Sequence, residues 1–164
     1  MKAIVVYESH WGNTAAIAQA IAEGIGPGAR AVTTTDATPE LIGDAELLVA
    51  GAPVMAFSLP KDSMLESMTK DRKAPVAPDV SHPSLREWLD ALPRGNGPAA
   101  SFETRLRWSP GSATGTIEDR FRRAGFRSLT EPAKFVVKGS YGPLREGEVE
   151  RAREWGATLA NLLH

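Results

Sequence analysis

The chain has 164 residues, 42% of them apolar and 24% charged, with a formal net charge of −1. That composition describes one globular domain with a sizeable core, and a near-neutral balance lacks the field that gathers nucleic acid or anionic membrane. There is no cysteine, which removes disulfides, thiolate catalysis and Cys-ligated zinc or iron–sulfur clusters.

Ala3–Tyr7 lacks polar alternation and reads as a strand buried on both faces. It is also too short for the apolar core of a signal peptide, and no apolar run approaches the length of a membrane span, so a cytoplasmic location is expected. From Thr14, the residues Ile17, Ala20, Ile21 and Gly24 recur at helical spacing, and Gly24, Gly26 and Gly28 close that helix. Ala31–Thr35 suits a second strand and Leu47–Ala50 a third. Leu85, Trp88, Leu89 and Leu92 mark a helix that Pro93 and Gly95 end. Ala99–Phe102 makes a fourth strand, Ile117, Phe121 and Ala124 the inner face of the next helix, and Phe135–Val137 a fifth strand. The last helix starts near Glu146 and buries Val149, Ala152, Gly156, Leu159 and Leu163, with acidic residues at its dipole-positive end.

Strands alternating with helices imply a parallel sheet covered on both faces. The stretch between the third and fourth strands is longer than one crossover needs. Its excess, residues 58–84, is expected to hold a short helix and a loop over the carboxyl ends of the strands, as an insertion within a single domain spanning 1–164. His10, His82 and His164 lie too far apart for a histidine metal motif.

The most informative segment is Glu8-Ser9-His10-Trp11-Gly12-Asn13-Thr14, between the first strand and the first helix. Such a loop can aim successive backbone amides at an anion, helped by the helix dipole, with Ser9, Asn13 and Thr14 as side-chain donors and Gly12 allowing close approach. It carries no Lys or Arg and lacks the Gly-Lys-Ser/Thr ending of a nucleoside triphosphatase loop. The glycines at 24, 26 and 28 follow a helix, not a strand, so they are no dinucleotide fingerprint. Ser and Asn also favour helix caps, which is the plainer account of the same residues.

Ser9-His10-Trp11-Gly12-Asn13-Thr14 resembles the phosphate loop of flavodoxins, which bind flavin mononucleotide (FMN) non-covalently. The resemblance implies a three-layer α/β/α sandwich with a five-stranded parallel sheet in the order 2-1-3-4-5. Trp11 departs from it, standing where short-chain flavodoxins usually carry a threonine. Pro53, Val54, Met55, Ala56 and Phe57 are similar in position to the second flavin loop, and Phe102 to Trp108 to the third. By that resemblance Met55 and its neighbours form one wall of the flavin site and Trp108 the other, with Glu103, Thr104 and Arg105 beside the ring. Arg105 and Arg107 replace the acidic surroundings that give electron-shuttling flavodoxins their low potential, so a less negative potential is expected. Tyr141, in the turn before the last helix, is a further possible contact, and Arg120, Arg122 and Arg123 a possible face for an acidic partner.

The implied function is a redox protein carrying FMN, either passing electrons to a protein partner or reducing a small quinone-like acceptor. The competing reading is a binding or regulatory module on the same fold that has lost the flavin. A phosphate-receiver domain fits poorly, because the first strand runs into Tyr7-Glu8-Ser9 and the third into Gly51-Ala52-Pro53, without an acidic pocket. No residue reads as an obligate catalytic acid, base or nucleophile.

Overall fold

The computed structural model describes residues 1–55 and 58–164. Six strands form one parallel sheet: β1 (Ala3–Tyr7), β2 (Ala29–Thr33), β3 (Leu47–Pro53), β4 (Pro98–Leu106), β5 (Arg127–Ser128) and β6 (Ala133–Val137). The order is β2-β1-β3-β4-β5, and β6 also pairs with β4. β5 pairs with Pro98 and Ala99 and β6 with Phe102 to Leu106, so the fifth position of the sheet is one edge strand in two pieces. Pro132, just before β6, has no N–H for the ladder, which suits a break on an edge. The second strand lies two residues earlier than its sequence suggested, and the fourth runs four residues further, to Leu106.

Side chains alternate across the sheet and divide the core in two. Ala3, Val5, Leu47, Val49, Ala100, Phe102 and Phe135 face α1 (Asn13–Ile25) and α6 (Glu148–Leu162). Ile4, Val6, Leu48, Ala50, Ala52 and Ala99 face α2 (Pro39–Gly43), α4 (Leu85–Asp90) and α5 (Thr114–Ala124). α2 is a short helix that the hydrophobic pattern passes over. Its signal is chemical, since Thr38 Oγ1 accepts the Leu41 amide and Pro39 opens the first turn.

α1 and α6 touch backbone to backbone. A Cβ on Gly156 would sit 2.2 Å from the carbonyl oxygen of Ile21, and one on Gly24 would sit 1.9 Å from that of Arg153. The two glycines therefore set the interhelical distance. Val149 falls outside this contact and is 39% exposed, contrary to the periodicity of the helix.

Glu148 ties the start of α6 to the sheet edge. Its buried carboxylate accepts the Val136 amide at 2.7 Å and two hydrogen bonds from Arg151, whose guanidinium lies 4.6 Å from the centre of the Phe135 ring. The Arg151 hydrogen bonds, and less strongly the Val136 amide, hold the Glu148 carboxyl below the ordinary glutamate range, against burial, which pushes it up. The arginines of α5 form no free basic face. Arg120 pairs with Asp90 and Asp119, and Arg122 and Arg123 both pair with Asp119.

Two outcomes follow from this packing. Gly156→Ala has only backbone to push against and should cost about 1–3 kcal/mol in denaturant unfolding. A carboxylate whose native pKa is depressed stabilises fully above its unfolded value and loses that contribution as pH falls through the native one. Glu148→Gln should therefore be less stable than the parent by about 1–3 kcal/mol near neutrality. The gap in urea midpoints should close as the pH falls below about 4, near the unfolded glutamate value.

Candidate functional site

The carboxyl ends of β1, β3, β4 and β6 open into a cleft of about 660 Å³. Its floor is the turn from β1 into α1. Gly12 holds φ +92° at the N-cap of α1, a left-handed conformation that glycine adopts without cost. No side chain caps this helix. The amides of His10, Trp11, Gly12, Asn13 and Thr14 have no acceptor among the described residues; the first main-chain bond of the helix runs from Ala16 to Gly12 at 3.0 Å. Ser9 Oγ and His10 Nδ1 are buried and also without partners among the described residues. Amides at a helix start ordinarily lack an intrahelical acceptor; the two buried, unpartnered side-chain atoms beside them are the rarer feature.

The other hydroxyl and amide of the loop are engaged. Thr14 Oγ1 shares a hydrogen bond with Thr104 Oγ1 at 2.8 Å, and Asn13 Nδ2 donates to the Tyr141 carbonyl at 3.2 Å. Trp11 turns outward from the amides. Its indole N–H donates to the Val76 carbonyl at 3.2 Å, and its ring meets that of Tyr141 edge-on, 4.8 Å between centroids.

Pro53, Val54 and Met55 form one side of the cleft, held to β4 by the Val54 amide donating to the Thr104 carbonyl at 2.9 Å. Ala56 and Phe57 lie outside the described residues. Thr104, Arg105, Leu106 and Ser109 form the opposite side. Because β4 continues to Leu106, strand alternation decides the fate of the residues there. Glu103 turns away from the cleft, into the interior beneath α5, and is fully buried. Its Oε1 accepts the amides of Ala113 and Thr114 at 3.0 and 3.1 Å, so it anchors the start of α5. Its Oε2 pairs with Arg105 Nη1 at 2.6 Å, and Arg105 also donates to the Ser109 and Gly111 carbonyls. The charge of Arg105 is thus compensated. Trp108 is 77% exposed and does not reach the cleft, nor do Gly12 and Glu103 line it.

The roof comes from residues 58–84. α3 (Asp62–Thr69) places Met64, Ser67 and Met68 over the cleft, and Asp71 follows. Val137, at the end of β6, and Ser140 and Tyr141, from the turn after it, also line the cleft; Tyr141 is the one of these residues that the sequence pointed to. Three ties fasten the roof to the floor. The Asp79 amide donates to the His10 carbonyl at 2.8 Å, Trp11 reaches Val76, and the Tyr141 hydroxyl donates to the Asp71 carboxylate. That last bond lowers the Asp71 carboxyl and raises the Tyr141 phenol from their ordinary values. Tyr141→Phe should speed proteolytic cleavage within residues 70–83 several-fold while leaving the global unfolding midpoint nearly unchanged.

No protein-family model and no curated protein matches the chain. Solved structures do. An archaeal flavodoxin superposes with a TM-score of 0.68 at 21% identity, covering 100% of both chains. Flavodoxin 2 from Bacillus cereus gives 0.70 at 16% identity, over 98% of this chain and 99% of that one. Rubredoxin oxygen:oxidoreductase from the anaerobe Desulfovibrio gigas gives 0.63 at 18% identity, and there 99% of this chain matches 36% of the other. Together with the strand order, these superpositions establish that the chain has the flavodoxin-like fold along its whole length.

Proposed function

We propose that this chain is a flavodoxin-like redox protein that binds FMN non-covalently in the cleft, to pass electrons or to reduce a small acceptor. One observation carries the reading. Five unpaired amides and the orphaned Ser9 hydroxyl converge at the uncapped start of a 13-residue helix, which is an arrangement made to receive a phosphate. The Thr14 and Asn13 side chains, engaged with Thr104 and Tyr141, fix the shape of this cradle. FMN brings the one- and two-electron chemistry; the chain's residues bind, orient and tune it.

The remaining cleft suits a flat apolar ring. Its volume falls in the ordinary range of small-molecule sites, and Val54, Met55, Met64, Met68 and Leu106 supply apolar walls. Trp108 has no part in this arrangement, and Met64 and Met68 take the place of a second wall. Glu103 acts indirectly, by holding Arg105. Leu106 pairs with Val137, and the exposed Arg107 and Lys138 follow these two strand ends. Cations there, without a ring of carboxylates, favour a less negative flavin potential than an acidic shuttle would have.

One observation favours the flavin-free module. The Thr14 hydroxyl is already bonded to Thr104, and Trp11 contributes its indole to the roof and no hydroxyl to the loop. Titration with FMN, riboflavin and flavin adenine dinucleotide, followed by flavin fluorescence, separates the readings. Tight FMN binding, much weaker riboflavin binding and a loss of about 1–3 kcal/mol of FMN affinity in Ser9→Ala are expected. No binding of any flavin would establish the module instead.

A further inference from the structure

Glu8 and His10 form a buried pair to which the flavin reading gives no task. His10 Nε2 lies 2.7 Å from Glu8 Oε2, and Glu8 Oε1 accepts the Leu85 amide at 2.8 Å. The two side chains are only 3% and 2% exposed. With Glu8 as an ionised carboxylate, which can only accept, the hydrogen in this pair sits on Nε2. That leaves Nδ1 as the ring's unspent atom, buried, without a partner among the described residues, and one residue from the equally orphaned Ser9 Oγ. Both residues line the cleft, beside the free amides.

Every other group in this cradle presents a hydrogen. Nδ1 of a neutral imidazole presents a lone pair, which repels a phosphate dianion. The conflict ends when one proton is added, either to Nδ1, which then donates, or to the phosphate oxygen, whose second pKa is near 6. In both cases the loaded site holds one proton more than neutral His10 and the free dianion together. We infer that His10, oriented by Glu8, makes this loop a proton-coupled site for a phosphate monoester, which takes one proton from solvent as the monoester binds. The inference rests on the FMN reading for the identity of the monoester, and it makes His10 a positioning residue that sets specificity for phosphate.

Besides Glu8, Asp79 of the roof stands near His10, and its amide donates to the His10 carbonyl. The Ser81 hydroxyl and amide hold the Asp79 carboxyl below the ordinary aspartate range, against burial. Two further titratable groups border Asp79: His82, with Nδ1 3.8 Å from Asp79 Oδ1, and Tyr7, whose phenol burial and Asp79 push up. The edge of Trp11 lies 6.0 Å from the His10 ring.

The test is FMN affinity between pH 6 and 9. Uptake of one proton makes it fall by up to tenfold per pH unit as pH rises. Riboflavin, which lacks the phosphate, should show no such slope. Calorimetry in two buffers of different ionisation enthalpy should read close to one proton taken up per FMN. His10→Asn, of similar reach and without a titrating ring, should bind FMN more weakly at pH 6 and lose the slope. His10→Gln serves as the second variant if that one folds poorly. An FMN affinity independent of pH, or a slope that survives in either variant, overturns the inference. If no flavin binds at any pH, the FMN reading fails by itself and inorganic phosphate decides. His10 ring nitrogen resonances that shift on adding millimolar phosphate keep the proton-coupled site; resonances that stay in place overturn it.

Discussion

The backbone contact between α1 and α6 is the constraint on which the site depends. With Gly24 and Gly156 at the crossing, the two helices approach until carbonyl oxygens stand where Cβ atoms would be. α1 is thereby pinned against α6 on one side and against Ala3, Val5, Leu47 and Val49 on the other. Its first turn cannot shift to find an acceptor. The first amides of a helix have no intrahelical acceptor, and the packing of the helix body holds that end of α1 at the open end of the sheet. The cradle is therefore a consequence of core packing at the far end of the same helix.

A second constraint acts through β4. Its extension to Leu106 fixes which residues point where, because side chains must alternate. Ser101 and Glu103 go to the α5 side, and Thr104 to the α1 side, where it meets Thr14. Burying the Glu103 carboxylate is tolerable because it is fully coordinated: two amides, two hydroxyls and one guanidinium converge on it. An incompletely paired charge at that depth would be strongly destabilising. The same pairing removes most of the field that Arg105 would otherwise exert on the cleft.

These two constraints also explain what the sequence made legible. The first strand, the loop after it and α1 carry signals that reinforce one another: an unbroken apolar run, a Ser-x-x-Gly-Asn-Thr turn and a helical stripe. Their reading needs no tertiary information. Trp108 misled because an aromatic residue in a strand-end loop resembles a ligand wall, whereas its exposure is decided by where β4 stops. The alternation Ala100, Phe102, Thr104 against Ser101, Glu103, Arg105 was present in the sequence, but it has meaning only once the strand is known to continue past Phe102. α2 was missed for want of periodicity, although Thr38-Pro39 is a readable start. β5 has two residues and a proline soon after, too little for any pattern to register. The roof was visible as excess length. What it contributes was not, since Met64, Met68 and Asp71 reach the cleft through contacts with Trp11, His10 and Tyr141 that lie far away in sequence.

That roof is held to the rest of the cleft at three points. Residues 58–84 are fastened at His10, at Trp11 and at Tyr141. Trp11 then has a structural purpose that a threonine would not serve. Its indole N–H donates to the Val76 carbonyl and so ties the loop to the roof. Trp11, the roof and the buried Glu8–His10 pair therefore meet at one loop, which ties the roof to the floor of the cleft.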